Sequence, residues 1–218
     1  MYAGYDYREE VGYHTFCSSV IAHTRDEVSI CPLRGQQRDG TNAFTYARFL
    51  IPFMQGFRGF AIFADGSDMT LKADIADLWS QFSLNHAVQV VKHDYKTKHP
   101  RKYVGTSMEA ANEDYPRKNW SSVMLINCSH YAWRDITPER VERMTGAELH
   151  RFSFIPDKYI GELPAEWNWL ADEYGENPNA KLLHWTAGIP AFPHYAHSPH
   201  ADDWFRAEEK VSQCASLG

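Results

Sequence analysis

Residues 61–79 read AIFADGSDMTLKADIADLW, and the character of the chain changes twice within them. Phe60-Ala61-Ile62-Phe63-Ala64 is an apolar run short enough for a buried strand. It stops at Asp65-Gly66-Ser67-Asp68. A carboxylate that close to an apolar run is costly unless it is paired or holds a cation. Hard divalent ions such as Mg²⁺ and Mn²⁺ take oxygen ligands, commonly one or two carboxylates plus substrate phosphates. Ile75, Leu78 and Trp79 then return at helical spacing behind Asp74. A strand, an acidic turn and a helix predict a metal–phosphate site at the carboxyl edge of a sheet, where open α/β folds bind ligands. The same four residues also read as an acidic turn that caps the next helix.

Outward from this stretch the chain alternates. Met1–Gly4 is a first strand, and Val11, Phe16, Val20 and Ile21 mark a helix. Asp6 stands between them, either as a cap for that helix or as a ligand group at the strand's end. Glu27–Leu33 is a second strand ended by Pro32, and Arg34–Thr41 a loop. Asn42–Met54 is apolar on most sides and reads as a buried helix, ended or kinked at Pro52. Arg48 within it needs an anion, which phosphate or a structural carboxylate would supply. Asn85–His93 and Trp120–Ile126 are further strands, the latter ending in Asn127. Between them, 94–115 is a long polar loop or flap. Thr137-Pro138 starts a helix that Gly146 ends, with another helical turn over Ala147–Phe152. Gly161 and Pro164 make 157–170 a loop, which carries Glu166, Trp167 and Asn168. Ala180–Trp185 is a last strand containing His184. Alternating strands and helices argue for an α/β fold with a mostly parallel sheet.

The bulk properties narrow the function. A chain of 218 residues fits one sizeable core, and a net charge of -6 argues against a nucleic-acid groove. Cys17, Cys31, Cys128 and Cys214 lack the spacing of a zinc site or a disulfide framework. The opening MYAGYDYREE has no basic and apolar regions of a signal peptide, and no apolar run is long enough to span a membrane. The expected location is cytoplasmic. A metallophosphoesterase is disfavoured, because no second His/Asp cluster is present for a two-metal site.

Five segments, in order, resemble the small GT-A-type glycosyltransferases of the glycogenin and bacterial galactosyltransferase (family 8-like) group. MYAGYDYREEVGYHTFCSSVIAH is similar to the strand and helix that hold the nucleotide base. FTYARFLIPFM is similar to the helix whose arginine approaches the donor. AIFADGSDM stands at the acidic metal motif, and KLLHWTAGIP resembles the C-terminal segment whose histidine joins the metal shell and whose glycine approaches the diphosphate. RKNWSSVMLIN and IGELPAEWNWL resemble the acceptor-side strand and loop. The resemblance implies a mixed, mostly parallel central sheet flanked by helices. It covers a single domain over 1–195, leaving 196–218 as a tail with a short helix.

The resemblance also implies an activity: a metal-dependent transfer of a hexose, with retention, from a nucleotide diphosphate sugar (UDP-linked) to a sugar or glycan hydroxyl. The alternative is a sugar-nucleotide-binding or assembly protein on the same fold without turnover. Asp65, Asp68 and His184 are the expected ligands of Mn²⁺ or Mg²⁺. Asp68 is preferred to Ser67 because it brings a net charge. Tyr5, Asp6, Arg8, Arg48, Gly66, Ser67 and Gly188 fall on the donor side. Asn127 and Asn168 are expected at the reacting sugar, with Asn119 and Trp167 toward the substrate. Ile189 and Pro190 stand where relatives often carry a lysine for the diphosphate, so that charge is expected from Arg8, Arg48, Lys102 or Lys118.

Overall fold

The structure is a computed structural model and describes residues 1–38 and 41–215, with no account of the side chains of 212–215. In chain order the strands and helices are β1 (Tyr2–Gly4), α1 (Glu10–His23), β2 (Cys31–Leu33), α2 (Ile51–Met54), β3 (Phe60–Ala64), β4 (Met69–Leu71), α3 (Ile75–Trp79) and β5 (Val88–Val90). They continue as β6 (Arg101–Lys102), β7 (Ala110–Ala111), β8 (Val123–Asn127), α4 (Pro138–Arg143), α5 (Gly146–His150), β9 (Ile160–Glu162), β10 (Trp169–Leu170), α6 (Ala171–Tyr174), β11 (Leu182–His184) and α7 (Ala201–Ala215). Among the described residues no helix is long and apolar enough to cross a membrane.

The central sheet has the order β2-β1-β3-β8-β5-β9. Pairing is parallel everywhere except on the two sides of β8, which runs against its neighbours. This is the mixed, mostly parallel α/β sheet expected. Its central strands β3 and β8 are almost wholly apolar because both their faces are covered. Ala61 and Phe63 of β3, with Met124 and Ile126 of β8, enter one core with Phe49, Trp133 and Leu149. Ile62 and Ala64, with Val123 and Leu125, enter the other with Phe16 and Val20 of α1. A second sheet, β10-β11-β4, lies beyond the end of β3, and β6 and β7 form a small hairpin.

Several local readings change. The acidic turn is followed by a strand, β4, before the helix, and the cap of α3 is Asp74, whose side chain accepts from Ala76 N. Residues 42–54 are not one helix: a 3₁₀ turn over Ala47–Leu50 precedes α2, and Pro52 sits in the first turn of α2. A continuous helix would lose the hydrogen bond that Pro52 has no N–H to make, whereas a first turn needs none there. The strand expected over Glu27–Leu33 is only Cys31–Leu33, matched to its three-residue partner. Gly146 does not end a helix. It begins α5, where Thr145 and Glu148 form a reciprocal capping box. Cys17, Cys31 and Cys128 are free thiols, and Cys214 lies outside the described side chains.

Candidate donor cleft

The site is assembled by two strand pairings. β3 ends at Ala64 and delivers Asp65 to the sheet edge, where Asp65 N donates to Ser122 O at 2.9 Å. β4 then pairs antiparallel with β11, placing Met69 opposite His184. Trp185 N donates to Asp68 O at 2.9 Å, so His184 is held beside Asp68 by backbone alone. The turn between β3 and β4 is tight. Gly66 has φ of 73°, which suits a residue without Cβ. A Cβ on Gly12 would stand 1.9 Å from Ser67 O, so α1 lies directly on the turn.

One ligand atom from each of Asp65, Asp68 and His184 can be chosen so that all three lie within 4.8 Å of one another. Ser67 is not with them: it is fully buried, and its hydroxyl donates to Gly4 O at 3.1 Å. The orientation of His184 follows from its neighbours. Asn168 Nδ2 donates to Asn119 O at 3.2 Å and Ser122 Oγ at 2.8 Å. Asn168 Oδ1 therefore faces the ring and accepts from His184 Nδ1 at 2.9 Å. His184 Nε2 then lies 3.3 Å from Asp68 Oδ2. A neutral ring offers a lone pair there, toward a carboxylate, so the position calls for a proton or a metal cation. Asp68 Oδ1 is buried and accepts no hydrogen bond. An orphaned carboxylate oxygen, a second carboxylate and an imidazole lone pair make a donor set that fits Mn²⁺ or Mg²⁺.

The electrostatics agree. Burial pushes the Asp65 carboxyl up to about 7, with Asp68 adding to the rise and Arg48 and His184 opposing it. Burial works to lower the His184 pKa, but the carboxylates of Asp68, Asp65 and Asp172 outweigh it and hold the ring above its usual value. Asp172 is itself raised to about 6 by burial, against the hydrogen bond from Ala187 N. Glu9 is wholly buried nearby, with one oxygen unpartnered, and burial together with Asp68 and Asp6 raises it well above the carboxylate range. Like charges crowded in this way favour any cation that enters.

The cluster opens into a cleft of about 450 Å³, lined on one wall by Arg8, Asn42, Phe44 and Arg48 and on the other by Tyr115, Asn119, His150 and Arg151. Lys102 and Tyr103 reach it from the segment between β5 and β8. Arg48 is settled as a structural ion pair: Nη1 lies 2.5 Å from Asp65 Oδ1 and also donates to Ser121 O at 3.0 Å. Asp6 accepts from Arg8 Nε, Nη2 and N and from Ala43 N, at 2.7–3.0 Å. That leaves its carboxylate fully used. Tyr5 lies apart from the lining, its hydroxyl donating to Glu10 Oε1 at 3.1 Å.

Besides Tyr5 and Ser67, Asn127, Trp167 and Gly188 also lie off the cleft. Asn127 pairs with Phe60, at the opposite end of β3 from Asp65. Because β8 runs antiparallel, its last residue reaches the far edge of the sheet. Trp167 is fully buried in the core beside Leu163 and Leu182, not on the cleft wall. Gly188 does not line the cleft, and a Cβ there would meet the Tyr195 ring at 2.4 Å. Conversely, Glu9, Tyr103, Arg151 and the Ser121–His150 pair, 2.7 Å apart, were missed. The local sequence gives no periodicity or spacing that marks them. Only Tyr103 carries a structural flag, a positive φ of 56° on a bulky residue.

No protein-family model matches the chain. The curated Protein CDI of Arabidopsis thaliana is 33% identical over an alignment of 232 residues, which spans 98% of this chain and 87% of that protein. The solved galactosyltransferase LgtC, in complex with donor and acceptor sugar analogs, superposes with a TM-score of 0.65 at 12% identity, covering 96% of this chain and 95% of LgtC. Glycosyltransferase GlyE of Streptococcus pneumoniae TIGR4 gives 0.61 at 14% identity over 95% of this chain and 59% of GlyE. The bifunctional glycosyltransferase WbbM gives 0.60 at 18% identity over 95% of this chain, which spans 49% of WbbM. The fold is that of the GT-A glycosyltransferases.

Proposed function

The chain belongs to the family of Protein CDI, and from that premise, with a GT-A fold, we propose that it is a metal-dependent glycosyltransferase. It moves a hexose from a nucleotide diphosphate sugar, UDP-linked, to a sugar or glycan hydroxyl. The observation that carries this reading is the convergence of Asp65, Asp68 and His184 at the floor of a cleft of about 450 Å³. The site residues fit Mn²⁺ or Mg²⁺, and Asp65, Asp68 and the Nε2 atom of His184 would hold the ion. A bound divalent cation neutralises negative charge on a diphosphate as it leaves.

The chain's own residues do the rest. Asn168 fixes the ring of His184 so that Nε2 faces inward. Arg48 holds Asp65 at the cleft wall; the Asp65 side chain keeps 14% of its exposure, against 6% for Asp68 and 2% for His184. Asp65 is therefore the most accessible member of the cluster. In the transfer itself the bond between the anomeric carbon and the diphosphate oxygen breaks, a bond to the acceptor oxygen forms, and the acceptor's proton passes to the departing phosphate. A front-face reaction of this kind retains configuration and needs no protein base.

A second reading, a nucleotide-sugar-binding protein without turnover, is favoured by Ile189, a buried core residue where the resemblance implies a phosphate-holding lysine. One experiment separates the two. Purified protein is assayed for transfer and hydrolysis of UDP-hexoses with and without Mn²⁺, alongside Asp68→Ala. Mn²⁺-dependent turnover, lost in the variant, supports the transferase. Tight UDP binding without turnover supports the second reading, and a variant that keeps its metal-dependent activity overturns the assigned cluster.

A further inference from the structure

A diphosphate that leaves with two negative charges needs cationic partners beyond one metal ion. Four lysine and arginine side chains line the cleft: Arg8, Arg48, Lys102 and Arg151. Arg8 is held in a bidentate pair by Asp6. Arg48 is held by Asp65, Ser121 O and Thr45 O. Lys118 is no substitute, since it donates to Asn112 Oδ1 at 2.8 Å, lies 3.7 Å from Asp114 and does not line the cleft. Among the described residues, Lys102 and Arg151 make no side-chain hydrogen bond or ion pair, and the Lys102 ammonium lies 5.4 Å from the Tyr103 ring.

Position separates these two. Lys102 sits on β6, and the next residue, Tyr103, donates its N–H to Ala187 O at 2.6 Å, three residues beyond His184. Val104 N donates to the Tyr195 hydroxyl at 3.0 Å. At the other end of the segment, Thr97 Oγ1 and Lys98 N donate to the two oxygens of the buried Glu173. The first half of the long loop is therefore a strap, pinned at 97–98 to α6 and at 103–104 to the residues that follow β11. Tyr103 is buried and holds a left-handed backbone, the sort of strain that persists where a neighbour must be aimed. Lys102 stands one residue from the bond between Tyr103 and Ala187, whereas Arg151 follows α5 and its carbonyl accepts from Arg117 Nη1. Arg101, on the same strand, is already paired with Glu109.

We infer that Lys102 is the cation that grips the donor's diphosphate, pressing it from the strap onto the Asp65–Asp68–His184 cluster. This rests on the nucleotide-sugar reading and adds to it the residue that supplies the second positive charge. It also gives the strap a purpose: its anchors hold one lysine over the acidic floor, in a chain whose segment after His184 brings no cation.

The test is isothermal titration of UDP, GDP and uridine in the presence of Mn²⁺ against the wild type, Lys102→Gln, Lys102→Arg and Lys118→Gln. The Lys102 side chain makes no hydrogen bond, so its substitution should leave the fold intact, which thermal melts verify. The expected result is a loss of diphosphate affinity of about tenfold or more in Lys102→Gln. Recovery in Lys102→Arg, no change in Lys118→Gln and unchanged uridine binding complete the pattern. Wild-type binding of UDP or GDP with an equal Kd in Lys102→Gln overturns the role of Lys102 and leaves the proposed function standing. A wild type that binds neither nucleotide overturns both.

Discussion

His184 and Asn168 are joined by one hydrogen bond, Nδ1–H to Oδ1 at 2.9 Å, and that bond decides which face the imidazole turns to the cleft. Asn168 can accept it only because its amide nitrogen is committed to Asn119 O and Ser122 Oγ. Replacing Asn168 by Ala frees the ring and removes one donor each from Asn119 O and Ser122 Oγ, which keep only the bond between them at 2.7 Å and the longer one from Ser122 N. Mn²⁺ affinity should fall roughly 10–100-fold, with a stability loss of about 1–3 kcal/mol. Metal titration and urea denaturation of the variant measure the two separately.

Metal affinity should depend on pH with a definite sign. Binding needs Asp65 charged and His184 neutral. Burial raises the Asp65 carboxyl to about 7, and neighbouring carboxylates raise His184 above its usual value, so both shed protons late. The apparent Mn²⁺ affinity should therefore climb as pH rises through about 7. Calorimetry in buffers of different ionisation enthalpy should show protons released on binding. A flat profile there would contradict the assigned donors.

Folding stability offers an independent titration. Burial, with Arg48 and Lys102 adding to it, lowers His150 from 6.5 to about 3. Above 6.5 the ring is neutral folded or unfolded. Below it the unfolded chain takes up a proton that the folded chain refuses, so stability drains away as pH falls toward about 3. Asp172, raised to about 6, works in the opposite direction between its usual value of 3.8 and 6. A difference measurement isolates the histidine. Going from about pH 7 to about pH 5, His150→Gln should lose about 2 kcal/mol less than the wild type.

The contact between α1 and the acidic turn has no slack. A methyl on Gly12 would stand 1.9 Å from Ser67 O, against backbone that cannot give way like a flexible side chain. Gly12→Ala should cost about 1–3 kcal/mol or more through overpacking. It should also lower the Mn²⁺-induced rise in melting temperature, because displacing α1 displaces Asp65 and Asp68. If the variant melts and binds Mn²⁺ like the wild type, α1 does not bear on the turn.

Asn127 supplies the contrasting control. It lies at the Phe60 end of β3, with the length of the strand between it and Asp65. Asn127→Ala should leave nucleotide and Mn²⁺ binding within about 0.5 kcal/mol of the wild type. A large loss in UDP titration would mean the two sheet edges are coupled.

The parts of this protein written in its sequence are those with local causes. An apolar run that ends in Asp65-Gly66-Ser67-Asp68 makes a strand and a turn wherever it is placed, and Thr137-Pro138 starts a helix by its own capping chemistry. The α/β class and the acidic corner of Asp65 and Asp68 are legible for that reason, whereas His184 joins them in the sequence only through the family resemblance. Tertiary structure decided the rest, because strand direction and partner are set by contacts between distant segments. The reversed course of β8 sends Asn127 away from the edge its sequence position suggested. The pairing of Met69–Leu71 with Leu182–His184 brings Asp68 and His184 together across 116 residues. Whether Arg8, Arg48 or Lys102 is free to meet an anion turns on which carboxylate each reaches first, and only the folded chain fixes that.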